Sequence, residues 1–466
     1  MTPSAYKKLM LLLLVLAALL RLILAWVNPP MNAFDDHLEP IRMIMRAGEI
    51  PGKRACWQCY QPPVFYYSSA MIGLIATKLG LAVSYIPKLM QMLSCVYGIL
   101  SVWVIYLILN RVRLSDFARL MAFGVICFLP RHIYMSAMHS NDSLTVLLVA
   151  LGVYLMLLLV EEGFSKRTLL ALSVVITGAI FTKYTAFVVL PMTLVVVVLV
   201  IFKGEVASRM KQTQLVALSV VLPLFLLGAY MYDNQRVYGE LLPWNNTIMN
   251  TVSIQASGEG GVRFSDFRPW TAIVAPVMVP DNVGSFWTLI HGRMWFDMEP
   301  KFILLTDRNL PWWERYFGWL RGHNQFPETI KLSAFTQVTG ASLILLGLVP
   351  LGLMLLGGAR LVLAAAGVAT DVLRIDRTTV AVLAVLVLFN IAGVVALALK
   401  APVYSSIKAI YLLVSLPAAA VFLGAGVMWL ERIRAMKVLM LALFVALLML
   451  VLLHYCHVIY SFIYFA

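Results

Sequence analysis

Two adjacent carboxylates, Asp35 and Asp36, follow the first apolar run and are the first residues whose chemistry stands out. At a boundary between water and membrane, such a pair can supply a general base or ligands for a metal ion. Asp35 also lies three residues after Asn32, the spacing of a capping box, so helix capping explains it equally well. Capping leaves Asp36 without a role.

A second polar group, His139, Asn141 and Asp142, stands at the start of another apolar run. Ionisable residues at the edge of a transmembrane helix are functional candidates, here for binding an acceptor or a metal ion. The structural alternative is that Asn141 or Asp142 serves only as an N-cap.

Three cations, Arg131, Lys183 and Lys408, interrupt apolar sequence near the same predicted membrane face. Cations there can bind an anionic lipid head group or stabilise a departing phosphate. Snorkelling toward head groups is the alternative for each one taken singly.

Cys56 and Cys59 have the spacing of a redox motif but not the strand-then-helix setting of a thioredoxin-like site. A structural disulfide in an oxidising compartment is the better interpretation.

The elements that position these residues must be membrane helices. The chain is 62% hydrophobic and 12% charged, with mean hydropathy +0.89, a balance that no soluble domain has. The formal net charge of +14 comes largely from short loops between apolar runs, which is the positive-inside pattern and excludes nucleic acid as the partner.

Counting apolar runs predicts an all-α polytopic membrane protein with about eleven spans. The first run lacks a small-residue cleavage site and is predicted to be an uncleaved signal anchor, with the N-terminus cytoplasmic. The predicted spans are residues 9–27, 86–109, 117–135, 143–160, 168–182, 186–202, 214–232, 336–357, 379–399, 408–430 and 438–458.

Two long loops then fall on the outer face, at residues 28–85 and 233–335. The first should carry juxtamembrane helices, one capped at Asn32 and one beginning after Pro62-Pro63. The second should cap a cavity. We therefore divide the chain into a catalytic transmembrane module at 1–232, a capping loop at 233–335 and C-terminal helices at 336–466.

Five sequence elements, in order, resemble the GT-C superfamily of polyprenyl-phosphate-sugar-dependent glycosyltransferases, such as protein O-mannosyltransferases and lipid A aminoarabinose transferases. They are Asp35-Asp36, QPPVFYY at 61–67, HSNDSL at 139–144, RVYGELLPWNN at 236–246 and KAIYLLVSLP at 408–417. The sequence departs from the family pattern at Asp36, Gln61 and Ile410, so it indicates no particular subfamily.

The resemblance implies an inverting sugar transfer on the outer (periplasmic or luminal) face of an inner membrane. Asp35 or Asp36 would deprotonate the acceptor, and Asp142 would orient the acceptor or bind a divalent cation. Arg131, Lys183 and Lys408 would hold the lipid phosphate. The implied partners are a polyprenyl-phosphate-linked sugar, a glycan, lipid or protein acceptor, and membrane lipids. The cavity-lining residues would be His37, Gln61, Tyr66, Tyr67 and Tyr238.

Two alternatives remain open at the level of sequence. A flippase or other carrier of lipid-linked saccharides predicts ionisable residues deep in several spans and inverted repeats, whereas here the ionisable residues gather at one face. A lipid-linked oligosaccharide ligase or polymerase would depend on a large outer loop with Arg and His, which His291 and Arg293 in the 233–335 loop permit.

Overall fold

In the computed structural model, the described residues are 3–28, 30, 37–203, 206–243, 262–274, 276, 284–296, 334–368, 375–402 and 407–465, and their regular secondary structure is helical. The first half of the chain contains α1 (Pro3–Val27), α2 (Leu38–Ala47), α3 (Val64–Lys78), α4 (Ile86–Arg111), α5 (Asp116–Cys127), α6 (Pro130–Ser136), α7 (Asn141–Glu162), α8 (Lys166–Ile180), α9 (Val189–Lys203) and α10 (Val206–Tyr238).

The later helices are Pro269–Val274, Phe286–Trp295, Ala334–Leu346, Leu348–Ala365, Arg377–Lys400, Leu416–Leu430 and Arg434–Phe465. Short 3-10 helices at Val83–Tyr85, Tyr184–Val188 and Ala409–Ser415 each lead into one of the long helices.

Every predicted span falls on a helix or on consecutive helices. Seven helical stretches of the described residues are long and apolar enough to cross a membrane, and the bent pair α5–α6 makes eight if it forms one span. Helices α8 and α9 have 15 residues each, fewer than the roughly 20 that span a bilayer. The chain is thus a multi-pass membrane protein, and the count of eleven spans stays a prediction.

Helix α7 runs from one end of the bundle to the other and carries an acidic residue near each of its ends. Its last turn carries Glu161, which pairs with Arg111 at the end of α4. Its first turn carries Asp142, about 30 Å away at 1.5 Å per residue. The basic residue at the end of α4 and the candidate acid therefore lie at opposite ends of the bundle, as the charge pattern predicts.

The first long loop, predicted at residues 28–85, contains the two helices α2 and α3. Helix α2 begins at Leu38 with His37 at its N-cap position and buries Leu38, Ile41 and Ile44; the predicted cap, Asn32, lies outside the described residues. It ends at Gly48, which adopts a left-handed conformation (φ 73°) that glycine tolerates without steric cost. Helix α3 begins directly after Pro63, as predicted.

A buried arginine in α1 fixes the bent span. The Arg21 guanidinium donates to the Cys127 carbonyl (2.9 Å), to Ser136 Oγ (3.3 Å) and to His132 Nδ1 (2.9 Å). Because arginine only donates, Nδ1 of His132 must accept, which leaves Nε2 to carry the proton toward Ser101 Oγ at 3.0 Å. These bonds tie α1 and α4 to the 50° bend between α5 and α6.

Helices Leu348–Ala365 and Leu416–Leu430 pack backbone to backbone through glycines. A Cβ atom at Gly357 would overlap the Phe422 carbonyl, and one at Gly426 would overlap the Leu353 carbonyl. Small residues allow such close approach between membrane helices. This packing supports the 3-10 helix Ala409–Ser415, which leads directly into the second of these helices.

Candidate functional site

A buried ion pair lies at the N-terminal end of α7. Lys183 Nζ is 2.8 Å from Asp142 Oδ1 and 2.7 Å from Oδ2, and it donates to Asn141 Oδ1 at 3.2 Å. Lys183 is 7% exposed and Asp142 5%. Snorkelling to head groups therefore does not describe Lys183, whose ammonium points inward to a carboxylate.

The N-cap of α7 is Ser140, so the alternative that Asn141 or Asp142 merely caps this helix is wrong. Ser140 Oγ accepts from the Asp142 backbone N–H at 3.1 Å and donates to Asp142 Oδ2 at 2.8 Å. The Asp142 carboxylate stands in the first helical turn, where the helix dipole favours negative charge. Its side chain has no capping role here and is held by Ser140 and Lys183.

A second polar cluster joins the first loop to the linker before α7. His37 Nδ1 is 2.8 Å from Tyr66 Oη, and the His139 ring lies 6.3 Å from the His37 ring and 5.3 Å from that of Phe65. His139 is buried, and neither of its ring nitrogens has a hydrogen-bond partner among the described residues. Burial, together with the nearby His37, holds the pKa of His139 well below its usual range.

Helix α3 connects these two clusters. The Val64 N–H donates to the Phe181 carbonyl at 2.9 Å, which places the start of α3 against the turn that carries Lys183. Phe65 and Tyr66, the next residues of α3, contact His139 and His37. The sequence-predicted residues His37, Tyr66, His139, Asn141, Asp142 and Lys183 are therefore brought to one face of the bundle.

The other predicted cations approach this face from different elements. The Tyr411 ring, in the 3-10 helix Ala409–Ser415, lies 5.7 Å from Lys183 Nζ, and Lys408 immediately precedes that helix. Arg293 donates to the Ile407 carbonyl next to Lys408. Arg131 is buried in α6, 5.5 Å over the Tyr134 ring, and α6 packs against Ala409–Ser415.

Of the remaining predicted cavity residues, Gln61 and Tyr67 lie in the first loop, and Tyr238, at the end of α10, contacts that loop. Gln61 donates to Tyr60 Oη at 2.6 Å, and Tyr67 is 44% exposed. Tyr238 Oη accepts from the Lys53 N–H at 3.3 Å, and the Lys53 ammonium lies over the rings of Tyr230 and Tyr238. Cys56 and Cys59 form a disulfide in the same loop.

Asp35 and Asp36, the predicted catalytic residues, lie outside the described residues and directly precede His37 in the chain. Within the described part of the chain there is no group of three or more His, Cys, Asp or Glu residues that could hold a metal ion. Asp142 in particular already has an ammonium against both of its oxygens, which is not the setting of a free metal ligand.

Sequence reasoning missed several polar residues that support this face: the buried Arg21, Asn28 and Gln91 and the half-buried Lys88. The signal was available for Arg21, a charge within an apolar run, because such charges are rare and satisfied only inside a bundle. The roles of Asn28, Lys88 and Gln91 depend on backbone carbonyls of other helices, which no local pattern reveals.

Comparisons with known proteins bear on both family and fold. Residues 60–227 match the model of a family described as dolichyl-phosphate-mannose-protein mannosyltransferase. This segment contains the candidate residues from Gln61 through Lys183. A comparison with curated protein sequences found no match.

Solved structures with a similar fold include the oligosaccharyltransferase of Archaeoglobus fulgidus. Its apo form has a TM-score of 0.51 at 13% identity over 97% of this chain and 56% of that one. Its complex with Zn and sulfate has a TM-score of 0.51 at 12% identity, covering 97% and 53%. ArnT from Cupriavidus metallidurans bound to undecaprenyl phosphate has 17% identity, coverage of 91% and 78%, and a TM-score of 0.40. The chain thus spans about half the length of the archaeal protein.

Proposed function

We propose that this GT-C-type membrane glycosyltransferase moves a sugar from a polyprenyl-phosphate-linked donor to an acceptor on the outer face of the membrane. The observation that carries the proposal is the convergence of His37, Tyr66, His139, Asp142 and Lys183 from separate segments onto one end of the bundle. The match of residues 60–227 to a family that uses dolichyl-phosphate-mannose supports the class of donor.

In this proposal, Asp35 or Asp36 acts as the general base. It removes the proton from an acceptor hydroxyl or amine, whose oxygen or nitrogen attacks the anomeric carbon as the bond to the lipid phosphate breaks. The electron pair of that bond leaves with the phosphate, and the anomeric configuration inverts. Phosphate is a good leaving group, so one base suffices and positioning supplies much of the remaining acceleration.

Lys183 receives a positioning role in this scheme. Its ammonium is paired with Asp142 and holds that carboxylate in place toward the acceptor side. Contact with the lipid phosphate then falls to Arg131 and Lys408, with Arg293 holding the backbone beside Lys408. Charge stabilisation of the leaving phosphate by such cations is worth several kcal/mol when water is excluded.

His139 is the described residue best suited to a further polar partner, because it is buried and its ring nitrogens lack partners among the described residues. One imidazole beside His37, the residue that follows Asp36 in the chain, could contribute a ligand to a divalent cation. The described residues do not complete such a site, so the scheme includes no step through a metal.

The location of the site is part of the proposal. The disulfide Cys56–Cys59 lies in the same loop as His37 and Gln61, and disulfides persist in oxidising compartments. We infer that this face is periplasmic, the N-terminus cytoplasmic, and the membrane an inner membrane.

The test is a transfer assay with purified protein in nanodiscs. Radiolabelled polyprenyl-phosphate hexoses and pentoses form one arm, and polyprenyl-pyrophosphate oligosaccharides form the other. Asp35→Asn and Asp36→Asn are compared with Glu49→Gln, an exposed acid in the same loop.

We expect transfer from a phosphate-linked monosaccharide, and loss of at least about 10²-fold in one of the two aspartate variants. Glu49→Gln should retain full activity. Normal transfer by both aspartate variants would contradict the assignment of the base. Transfer only from the pyrophosphate arm would identify an oligosaccharide ligase, and donor movement across the bilayer without product would identify a carrier.

A further inference from the structure

A network of polar side chains joins the outer ends of α1 and α4 to the linker that precedes α7. Its members are Asn28, Lys88 and Gln91, together with the backbone of Ala137, and we call it the α1–α4 clasp. Asn28 and Gln91 are 3% and 0% exposed. The clasp is therefore a polar network at the outer end of the bundle in which Asn28 and Gln91 are buried and Lys88 is half-buried.

Lys88 closes the end of α1. Its ammonium donates to the carbonyls of Ala25 (3.0 Å), Trp26 (3.0 Å) and Asn28 (2.7 Å), and to Gln91 Oε1 at 2.8 Å. The last carbonyls of a helix have no partner within that helix, and a cation near them also interacts favourably with the helix dipole. Lys88 therefore determines where α1 ends and the first loop begins.

Gln91 and Asn28 extend the clasp to the linker before α7. Gln91 Nε2 donates to the Asn28 carbonyl (3.1 Å) and to the Ala137 carbonyl (2.8 Å). Asn28 Nδ2 donates to the same Ala137 carbonyl at 3.0 Å and to Met138 Sδ at 3.0 Å. The Ala137 carbonyl thus accepts from two side chains, each of which belongs to a different helix end.

The clasp lies beside the linker that carries two residues of the candidate site. Ala137 is two residues before His139 and five before Asp142. A segment that short transmits a displacement at the clasp to His139 and Asp142. Displacements of about 1 Å at a reacting centre can cost about 10²-fold in rate.

We propose that Lys88 and Gln91 are positioning residues that hold the His139–Asp142 segment in place against the end of α1. This inference rests on the proposed function for its effect on rate. A purely structural role would lower the amount of folded protein and leave the activity of the folded fraction unchanged.

The test compares Gln91→Leu and Lys88→Met with Ser94→Ala. Ser94 is a matched control because it is buried on α4 one turn beyond Gln91 and its hydroxyl has no hydrogen-bond partner among the described residues. Gln91→Glu and Lys88→Arg are the conservative variants. The carboxylate introduced by Gln91→Glu would keep the partner of Lys88 but could not donate to the Ala137 carbonyl, whereas arginine would keep donors for the end of α1.

Two readouts separate the outcomes, both taken on the monodisperse fraction in nanodiscs. The first is the split between kcat and KM. We expect kcat to fall at least about tenfold in Gln91→Leu, Gln91→Glu and Lys88→Met, with donor KM changed less than about threefold, and Lys88→Arg to recover most of kcat. The second is hydrogen exchange of residues 25–28 and 137–142, which should accelerate in the first three variants and not in Ser94→Ala.

An active wild type whose Gln91 and Lys88 variants keep normal kcat overturns the inference. Unchanged exchange in both segments also overturns it, whatever the activity. If the wild type transfers no sugar from any donor, the proposed function fails. The hydrogen-exchange rates of the variants then test by themselves whether the clasp positions these segments.

Discussion

At the scale of single residues, the site depends on charges that are buried with partners. Lys183 and Asp142 are both nearly inaccessible and form a bidentate contact. Removing one member of a buried pair leaves an uncompensated charge, which costs more than removing both. Lys53 is a different case, because its half-buried ammonium lies over two tyrosine rings.

The ion pair gives the first prediction. Asp142→Asn and Lys183→Met should each lower the free energy of unfolding by about 3–5 kcal/mol, because each leaves the other group buried alone. The double variant should cost less than the sum, with a coupling energy of about 1–3 kcal/mol in a double-mutant cycle. Denaturant unfolding in detergent is the measurement. Strict additivity of the two single effects would show that the contact does not persist in solution.

Lys53 gives a prediction about pH. Burial lowers its pKa to about 8, and Asp233 opposes this effect. An unfolded lysine titrates near 10.4, so between pH 8 and about 10 the unfolded state binds more protons and stability rises with pH. The slope is at most about 1.4 kcal/mol per pH unit, reduced by the partial exposure of the side chain.

Lys53→Met should lower the slope of this rise by the contribution of Lys53. Thermal unfolding of the two proteins at pH 7, 8, 9 and 10 measures it, and Lys78→Met, an exposed lysine at the end of α3, is the control. If stability rises with pH as steeply in Lys53→Met as in the wild type, Lys53 is not a source of the rise.

At the scale of secondary-structure elements, helix packing through glycine holds the 3-10 helix that carries Tyr411. Gly357 leaves no room for a side chain beside Phe422, whereas Gly352, in the same helix, has nothing within 4 Å of the position that a Cβ atom would take. The two glycines therefore form a matched pair with opposite environments.

Gly357→Ala should destabilise the protein by about 1–3 kcal/mol, because the added methyl forces the two helices apart. Gly352→Ala should be neutral or stabilising by up to about 1 kcal/mol, because alanine restricts the unfolded chain and favours the helix. Unfolding in detergent compares them. Equal effects at the two positions would contradict the close approach of helices Leu348–Ala365 and Leu416–Leu430.

At the scale of the whole molecule, the position of the site depends on topology. Glu49 and Lys166 lie in loops that the predicted topology assigns to opposite faces of the membrane, and both are exposed. Cys456 is an exposed free cysteine, so the labelling background replaces it by alanine; Cys95 and Cys127 are buried, and Cys56 and Cys59 form the disulfide.

In that background, Glu49→Cys should react with a membrane-impermeant maleimide on intact cells whose outer membrane is permeable. Lys166→Cys should react only after the inner membrane is opened. Labelling of both positions, or of Lys166→Cys alone, in intact cells would contradict the predicted orientation and the periplasmic site.

Apolar runs and basic loops determined much about this protein from sequence alone. They predicted a helical membrane protein, which the structure confirms. The order of the five motifs indicated a resemblance to GT-C glycosyltransferases; residues 60–227 match the model of a mannosyltransferase family, and the fold is similar to that of an archaeal oligosaccharyltransferase. Hydrophobic spans and helix breakers such as Pro62-Pro63 are local signals, since burial in lipid and backbone geometry act on short stretches. The catalytic role of Asp35 and Asp36 and the division into three regions stay predictions.

Only the tertiary structure decided which polar residues meet. Ser140, and not Asn141 or Asp142, caps α7, and this leaves Asp142 to pair with Lys183 from a turn 41 residues away. The α1–α4 clasp depends on carbonyl groups, which every residue has and which therefore leave no mark in a sequence. Long-range contacts of this kind arise from how helices pack, and that packing selects a few partners among many side chains with the same local pattern.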